Sequence, residues 1–153
     1  MPPMPFPLPP AMRLALELAE AAARAGEVPV GAVVTRADAV VASAGNAMRA
    51  YHDPTAHAEM VALRAAARAL GRDRLDDCAL WVTLEPCAMC AGAIALARIA
   101  ALHFAAEDPK RGAVVNGARL FAQPSCHHRP QVYGGIGEVQ AAAQLRAFFS
   151  ARR

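Results

Sequence analysis

Two short runs of this sequence hold residue types that can do chemistry together. His57-Ala58-Glu59 offers an imidazole and a carboxylate two positions apart, and Pro86-Cys87-Ala88-Met89-Cys90 offers two thiols about one helical turn apart. Both runs fall at predicted helix starts, where unpaired backbone N–H groups and the helix dipole favour thiolates. One neutral imidazole and two thiolates, from His57, Cys87 and Cys90, suit a single Zn2+ and leave its fourth tetrahedral position for water, as catalytic zinc sites do. Glu59, two residues from His57, points away from the ligand direction and can face that open position as a proton carrier. A Cys-x-x-Cys standing alone would serve equally as a redox pair or as half of a structural zinc site. The His-x-Glu run separates these readings, because a structural site needs a fourth protein ligand and no other Cys or His is regularly spaced to these three.

These side chains need a frame, and the hydrophobic periodicity predicts one. Leu14, Leu18, Ala21, Ala22 and Ala25 predict a helix over 11–25 that stops at Gly26. The valine-rich runs Val28 to Thr35 and Val40 to Ala44 predict a β-hairpin. Met60, Leu63, Ala66, Ala67 and Leu70 predict a second helix from near Ala56 to Gly71. A strand over 80–84, a helix over 87–97 and a strand over 101–105 make a parallel crossover. Turn-forming residues fill 107–137, and a last helix runs over 138–152. The sum is a layered α/β domain with helices on both faces of a mixed sheet.

At 153 residues, 56% hydrophobic and 19% charged, the chain reads as one folded domain over 11–153 behind a proline-rich, extended and mobile tail over 1–10. Arg98 interrupts the longest apolar stretch, Ala91 to Ala106, so no spanning helix is expected. The first ten residues lack the charged start and cleavage site of a secretory signal, and four cysteines are too few for a disulfide framework. Reduced thiols and a cytoplasmic location are expected. Residues 109–153 hold seven Lys or Arg against one acid, Glu138, whereas 1–108 hold nine against twelve. That basic third predicts an anionic partner, with a solvated helix surface as the alternative. Cys126, His127 and His128 are too close in sequence to converge on a second metal, and His128 reads as a phosphate or base contact, with a plain surface loop as the alternative. Trp81 and Cys78 read as core residues, and His103 as a satisfied strand histidine. Phe148 and Phe149 fall on different helix sides, so one packs while the other stacks.

A His-x-Glu at one helix start, a long gap and a Pro-Cys-x-x-Cys at another is the pattern of zinc-dependent nucleobase deaminases. Glu27-Val28-Pro29-Val30-Gly31-Ala32-Val33, Gly45-Asn46, His52 to Glu59, and Val82-Thr83-Leu84-Glu85-Pro86-Cys87-Ala88-Met89-Cys90-Ala91-Gly92-Ala93 together resemble the bacterial tRNA adenosine deaminases, over about residue 11 to the end. The resemblance implies a three-layer α/β/α cytidine-deaminase-like fold with a mixed five-stranded sheet, a homodimer, and hydrolytic conversion of adenosine to inosine at the wobble position of a tRNA anticodon loop. It implies that Asn46 bonds the purine edge, that the Ala58 N–H faces the base and that Val30 lines the pocket. Asp108, in a segment shared with Lys110 and Gly112, would touch the RNA backbone, and Phe148 or Phe149 with Arg152 would meet the loop. The chain departs from its relatives over 114–129, where Asn116-Gly117-Ala118-Arg119 and His127-His128-Arg129 stand, and it ends at Arg153 without a longer lysine-rich tail. RNA affinity would then lean on Lys110, Arg111, Arg119 and Arg129. The rivals are a deaminase of free bases or nucleosides (guanine, cytosine or cytidine), opposed by the basic third, and a non-catalytic zinc-stabilised RNA-binding module, opposed by Glu59.

Overall fold

The computed structural model describes residues 7–152, so Met1 to Phe6 of the predicted tail lie outside the described residues. Four helices and five strands follow in the order α1 (Pro10–Arg24), β1 (Gly31–Arg36), β2 (Ala39–Gly45), α2 (Ala58–Leu70), β3 (Cys78–Leu84), α3 (Ala88–Ala97), β4 (Ala101–Ala106), β5 (Gln131–Gly134) and α4 (Glu138–Ser150), with a short 3-10 turn at Leu120–Ala122. The strands form one sheet in the order β2-β1-β3-β4-β5. The β2–β1 and β1–β3 pairs are antiparallel, and the β3–β4 and β4–β5 pairs are parallel.

The period-2 alternation of the strands sorts side chains to two faces. Ala32, Val34, Leu80, Val82, Leu102 and Phe104 point to the face that α2 and α3 cover, where Ala62, Ala66, Ala91 and Ile94 close the larger core. Val33, Trp81 and Ala105 point to the other face, where Met12, Ala15, Leu16 and Ala141 bring in α1 and α4. This is the three-layer α/β/α arrangement the resemblance implies.

Several boundaries differ from the pattern. The first helix begins at Pro10, whose ring suits a first helical position, and Leu8 before it packs against the α1/α4 core. β1 begins at Gly31 and not at Val28, because Val28 to Val30 make a turn closed by the Val30 N–H on the Val28 carbonyl. α2 begins at Ala58, since Ala56 is spent in the Asp53-Pro54-Thr55 turn, donating to Asp53 and accepting from Ala47. β5 lies inside the stretch read as turns, and it completes the fifth strand beside β4. His103 is not satisfied: it stacks between Trp81 (3.7 Å) and Tyr133 (4.9 Å), and its Nδ1 is buried without a partner.

Candidate metal and catalytic centre

Both helix starts that carry the motifs open at the same end of the sheet. His57 is the N-cap of α2 and Cys87 the N-cap of α3. The Cys87 sulfur meets both Cys90, one turn along its own helix, and His57 from the other helix. His57 Nδ1 lies 3.6 Å from Cys87 Sγ and 3.4 Å from Cys90 Sγ, and the three ligand atoms all fall within 4.8 Å of one another. A tetrahedral ion with the usual Zn–N and Zn–S bond lengths would separate a nitrogen from a sulfur by about 3.5 Å. The donor set therefore fits zinc in type and in spacing. It is the one group of three or more metal-ligating side chains within such reach among the described residues.

The protonation of this cluster follows from its crowding. The Cys90 thiol beside it, aided by His57, holds Cys87 as a thiolate with a pKa of about 3. Cys90 is pushed up by its bond to Cys87 and by burial, so without a metal the pair keeps one proton. His57 is raised by its contact with Cys87, against the lowering effect of burial. Glu59, in the first turn of α2 and 4% exposed, has its carboxyl raised by burial, with His57 pulling it partly back. A buried carboxyl tuned toward neutrality is what proton transfer at neutral pH requires.

Two loops flank this centre, and each is gathered by a buried carboxylate. Glu27 accepts the N–H groups of Arg49 (3.1 Å) and Ala50 (2.9 Å), which fixes the loop carrying Asn46. Asn46 is buried and its N–H bonds the Val30 carbonyl, and the next residue, Ala47, bonds the Ala56 carbonyl two residues before α2. Asp53 folds the same loop by accepting Thr55 N–H and Oγ, which lowers its pKa, and delivers the chain to His57. Ala58 is fully buried at the first helical position, where its N–H has no intrahelical acceptor.

Glu85 gathers the second loop. It is 2% exposed and accepts the N–H groups of Asp108, Val114, Val115 and Asn116 together with the Asn116 amide, at 2.7–3.0 Å. Burial by itself would raise its pKa, and these donors outweigh it and hold the carboxyl below its ordinary value. Asp108 in turn accepts the N–H groups of Lys110 and Arg111, and Lys110 is exposed. A single bridge pairs Cys87 with Gly112, so the Asp108–Lys110 segment lies beside the metal-ligand cluster.

The remaining predicted residues are elsewhere. His128 Nε2 donates to the Ile99 carbonyl at 2.6 Å, past the C-terminal end of α3, whereas the cluster sits at its N-terminal end. Phe148 is buried with the Arg152 guanidinium 3.5 Å over its ring, and Phe149 is 48% exposed; both are on α4, across the sheet from α2 and α3. Arg119 and Arg129 spend N–H groups on loop carbonyls: Arg119 on Val115, Arg129 on Phe121 and Gln123. Glu27 and Glu85 carried no predicted role. Their sequence signal is an acid one or two residues before a proline, in Glu27-Val28-Pro29 and Glu85-Pro86, inside runs that carry the resemblance.

Residues 9–146 match the MafB19-like deaminase family. The tRNA-specific adenosine deaminase of Agrobacterium fabrum (strain C58 / ATCC 33970) is 51% identical over 142 residues, covering 93% of each chain. A solved structure from work on A-to-I editing by tRNA:A34 deaminases at the wobble position of transfer RNA is 50% identical, with a TM-score of 0.87, over 88% of this chain and 98% of that one. The guanine deaminase of Bacillus subtilis is 33% identical with a TM-score of 0.65, over 93% of this chain and 91% of its own.

Proposed function

The chain belongs to the bacterial tRNA-specific adenosine deaminases, members of the deaminase superfamily, and on that premise we propose how its residues deaminate the wobble adenosine of a tRNA anticodon loop to inosine. The observation that carries the reading is the meeting of His57 Nδ1 with two cysteine sulfurs at 3.4 and 3.6 Å beside a buried Glu59.

His57, Cys87 and Cys90 would hold one Zn2+ per subunit, and the ion when bound would supply an activated water at neutral pH. Glu59 would accept a proton at its carboxylate and deliver it to the ring nitrogen beside C6 of adenine, and a second proton would pass to the departing amino group, so that a C6–O bond replaces the C6–N bond and adenosine and water give inosine and ammonia. Asn46 bonds the purine edge, the Ala58 N–H faces the base and Val30 lines the pocket; their neighbouring positions at the α2 start support this. Asp108 and Lys110 meet the RNA backbone near the target. Phe149 offers an exposed ring to the loop, with Phe148 and Arg152 as its support. A base extruded from a loop loses less stacking than one taken from a duplex, which favours the anticodon loop as substrate.

The homodimer is supported by α3. Its sequence, Ala-Met-Cys-Ala-Gly-Ala-Ile-Ala-Leu-Ala, is apolar all round, yet Leu96 is 80% exposed in a groove of about 240 Å³ lined also by Gly92, Ala95, Leu120 and Cys126, with Arg98, Gln123, Ser125 and His127 as its polar part. A second copy covering this face removes exposed apolar area from water. Leu96→Glu should shift the sedimentation coefficient to that of a monomer, and an unmoved coefficient rejects α3 as the dimer face. Among the described residues no helix is long and apolar enough to cross a membrane, and we take the location to be cytoplasmic.

The deciding assay is deamination, read as ammonia release, on an anticodon stem-loop against free adenosine and free guanine. The stem-loop should be the better substrate, and a clear preference for free guanine would move the assignment to a free-base deaminase. Glu59→Ala should keep zinc and fold while turnover falls by about 10²-fold or more. Unchanged turnover would reject Glu59 as the proton carrier.

A further inference from the structure

The metal cluster uses Cys87 and the RNA contact uses Asp108 and Lys110, but nothing in that chemistry uses Glu85, a buried carboxylate two residues before Cys87. Its surroundings are built around it. Four backbone N–H groups and one side-chain amide converge on its two oxygens: Asp108 N–H and Asn116 Nδ2 on Oε1, and the N–H groups of Val114, Val115 and Asn116 on Oε2. Those donors come from both ends of one loop, so a single carboxylate closes it. A Cβ at Gly112 would stand 2.4 Å from Glu85 Cδ and 2.5 Å from Oε2, so the loop backbone passes directly against the carboxylate. Gly117 makes the tight turn with φ of +56°, and a Cβ there would meet the Gly112 carbonyl at 2.4 Å. The loop is also pinned to the start of α3: Ala113 N–H bonds the Pro86 carbonyl, and Cys87 bridges to Gly112.

We propose that Glu85 is a positioning residue that sets the RNA-facing segment Asp108–Lys110 at a fixed place relative to the metal-binding start of α3. The inference rests on the deaminase reading above, because it assigns the loop a substrate to hold. A displaced loop would still leave His57, Cys87 and Cys90 together, since none of the three bonds Glu85. The expected consequence is a defect in holding RNA and not in binding metal or moving protons.

Glu85→Gln keeps the shape and swaps one acceptor oxygen for an NH2 that faces N–H donors. It should raise KM for the stem-loop about tenfold while kcat stays within about threefold and zinc content is unchanged, the pattern of an interaction lost equally from the bound and transition states. Amide hydrogen exchange should quicken at Val114, Val115 and Asn116 and stay slow in β3. In case Glu85→Gln does not fold, Asn116→Ala removes one donor and leaves the carboxylate four others, and it should move KM and loop exchange in the same direction by a smaller factor. Unchanged loop exchange in both variants would overturn the positioning role. So would loss of zinc together with turnover, which would place Glu85 in the metal site. If the wild-type chain makes no inosine on the stem-loop, the deaminase reading fails, and the exchange data still decide whether Glu85 orders the loop.

Discussion

His103 lies flat between Trp81 and Tyr133, with interplanar angles of 5° and 17°, at matching register positions on β4, β3 and β5. Trp81 Nε1–H donates to Thr35 Oγ1, so the stack is tied to β1, while His103 Nδ1 meets no partner. Burial is the cause of a pKa held below the ordinary 6.5, because the charged form loses its water in the stack. Between the folded and unfolded values the unfolded chain binds more protons, so stability rises with pH across that window. The contribution is complete above the unfolded value of 6.5 and is lost as pH falls below it. His103→Phe keeps a ring in the stack without a titrating group. Denaturant midpoints at about pH 7.5 and about pH 5.5 should fall further for the wild type than for this variant. Parallel curves would show that the imidazole escapes the stack on protonation. The same contrast explains what could be read at this scale. The meeting of His57, Cys87 and Cys90, with Glu59 buried beside them, was legible because a metal site of the proposed kind needs fixed residue types at short local spacings. Glu27, Glu85 and the partnerless nitrogen of His103 were not, because their partners or their burial come from residues brought in by the fold, 22 to 31 positions away for the two acids.

Elements show the same division. The hairpin, α2 and the β3-α3-β4 crossover follow from periodicity within each run, and they recur in the structure with shifts of a few residues. β5 does not announce itself: Gln131-Val132-Tyr133-Gly134 is four residues among turn formers and becomes a strand by pairing with β4. Gly31 is a case where the sequence shows a glycine but not its reason. A Cβ there would stand 1.9 Å from the Ala15 carbonyl oxygen and 2.9 Å from the Ala19 nitrogen, so the α1 backbone rests directly on the first residue of β1. Both neighbours are main-chain atoms, which cannot rotate aside. Gly31→Ala must therefore push α1 off the sheet, and overpacking of this kind costs about 2–3 kcal/mol. The denaturant midpoint should drop accordingly. A midpoint equal to the wild type's would mean that α1 can back away without loss of its packing on Val33 and Trp81.

The charge of the whole molecule is divided, with six surplus positive charges in residues 109–153 and a deficit of three before them. The fold decides which of those cations can meet RNA. Arg129 gives Nε–H to the Phe121 carbonyl and Nη2–H to Gln123, so its guanidinium closes the 121–129 loop from within. Arg152 lies over Phe148 and bonds its carbonyl, with α4 as its support. Lys110 is exposed on the segment that Glu85 and Asp108 hold beside Cys87, and among the described residues its ammonium group makes no hydrogen bond or ion pair. Binding to a stem-loop should weaken as salt rises, because each phosphate neutralised releases counterions. Lys110→Ala should then reduce the slope of log affinity against log salt by about one and weaken all stem-loops alike. Arg129→Ala should leave that slope in place and lower the denaturant midpoint instead, since it strips two loop carbonyls of their donors. If Arg129→Ala flattened the salt dependence and Lys110→Ala did not, the RNA would lie along the 121–129 loop and away from the metal-binding end of the sheet.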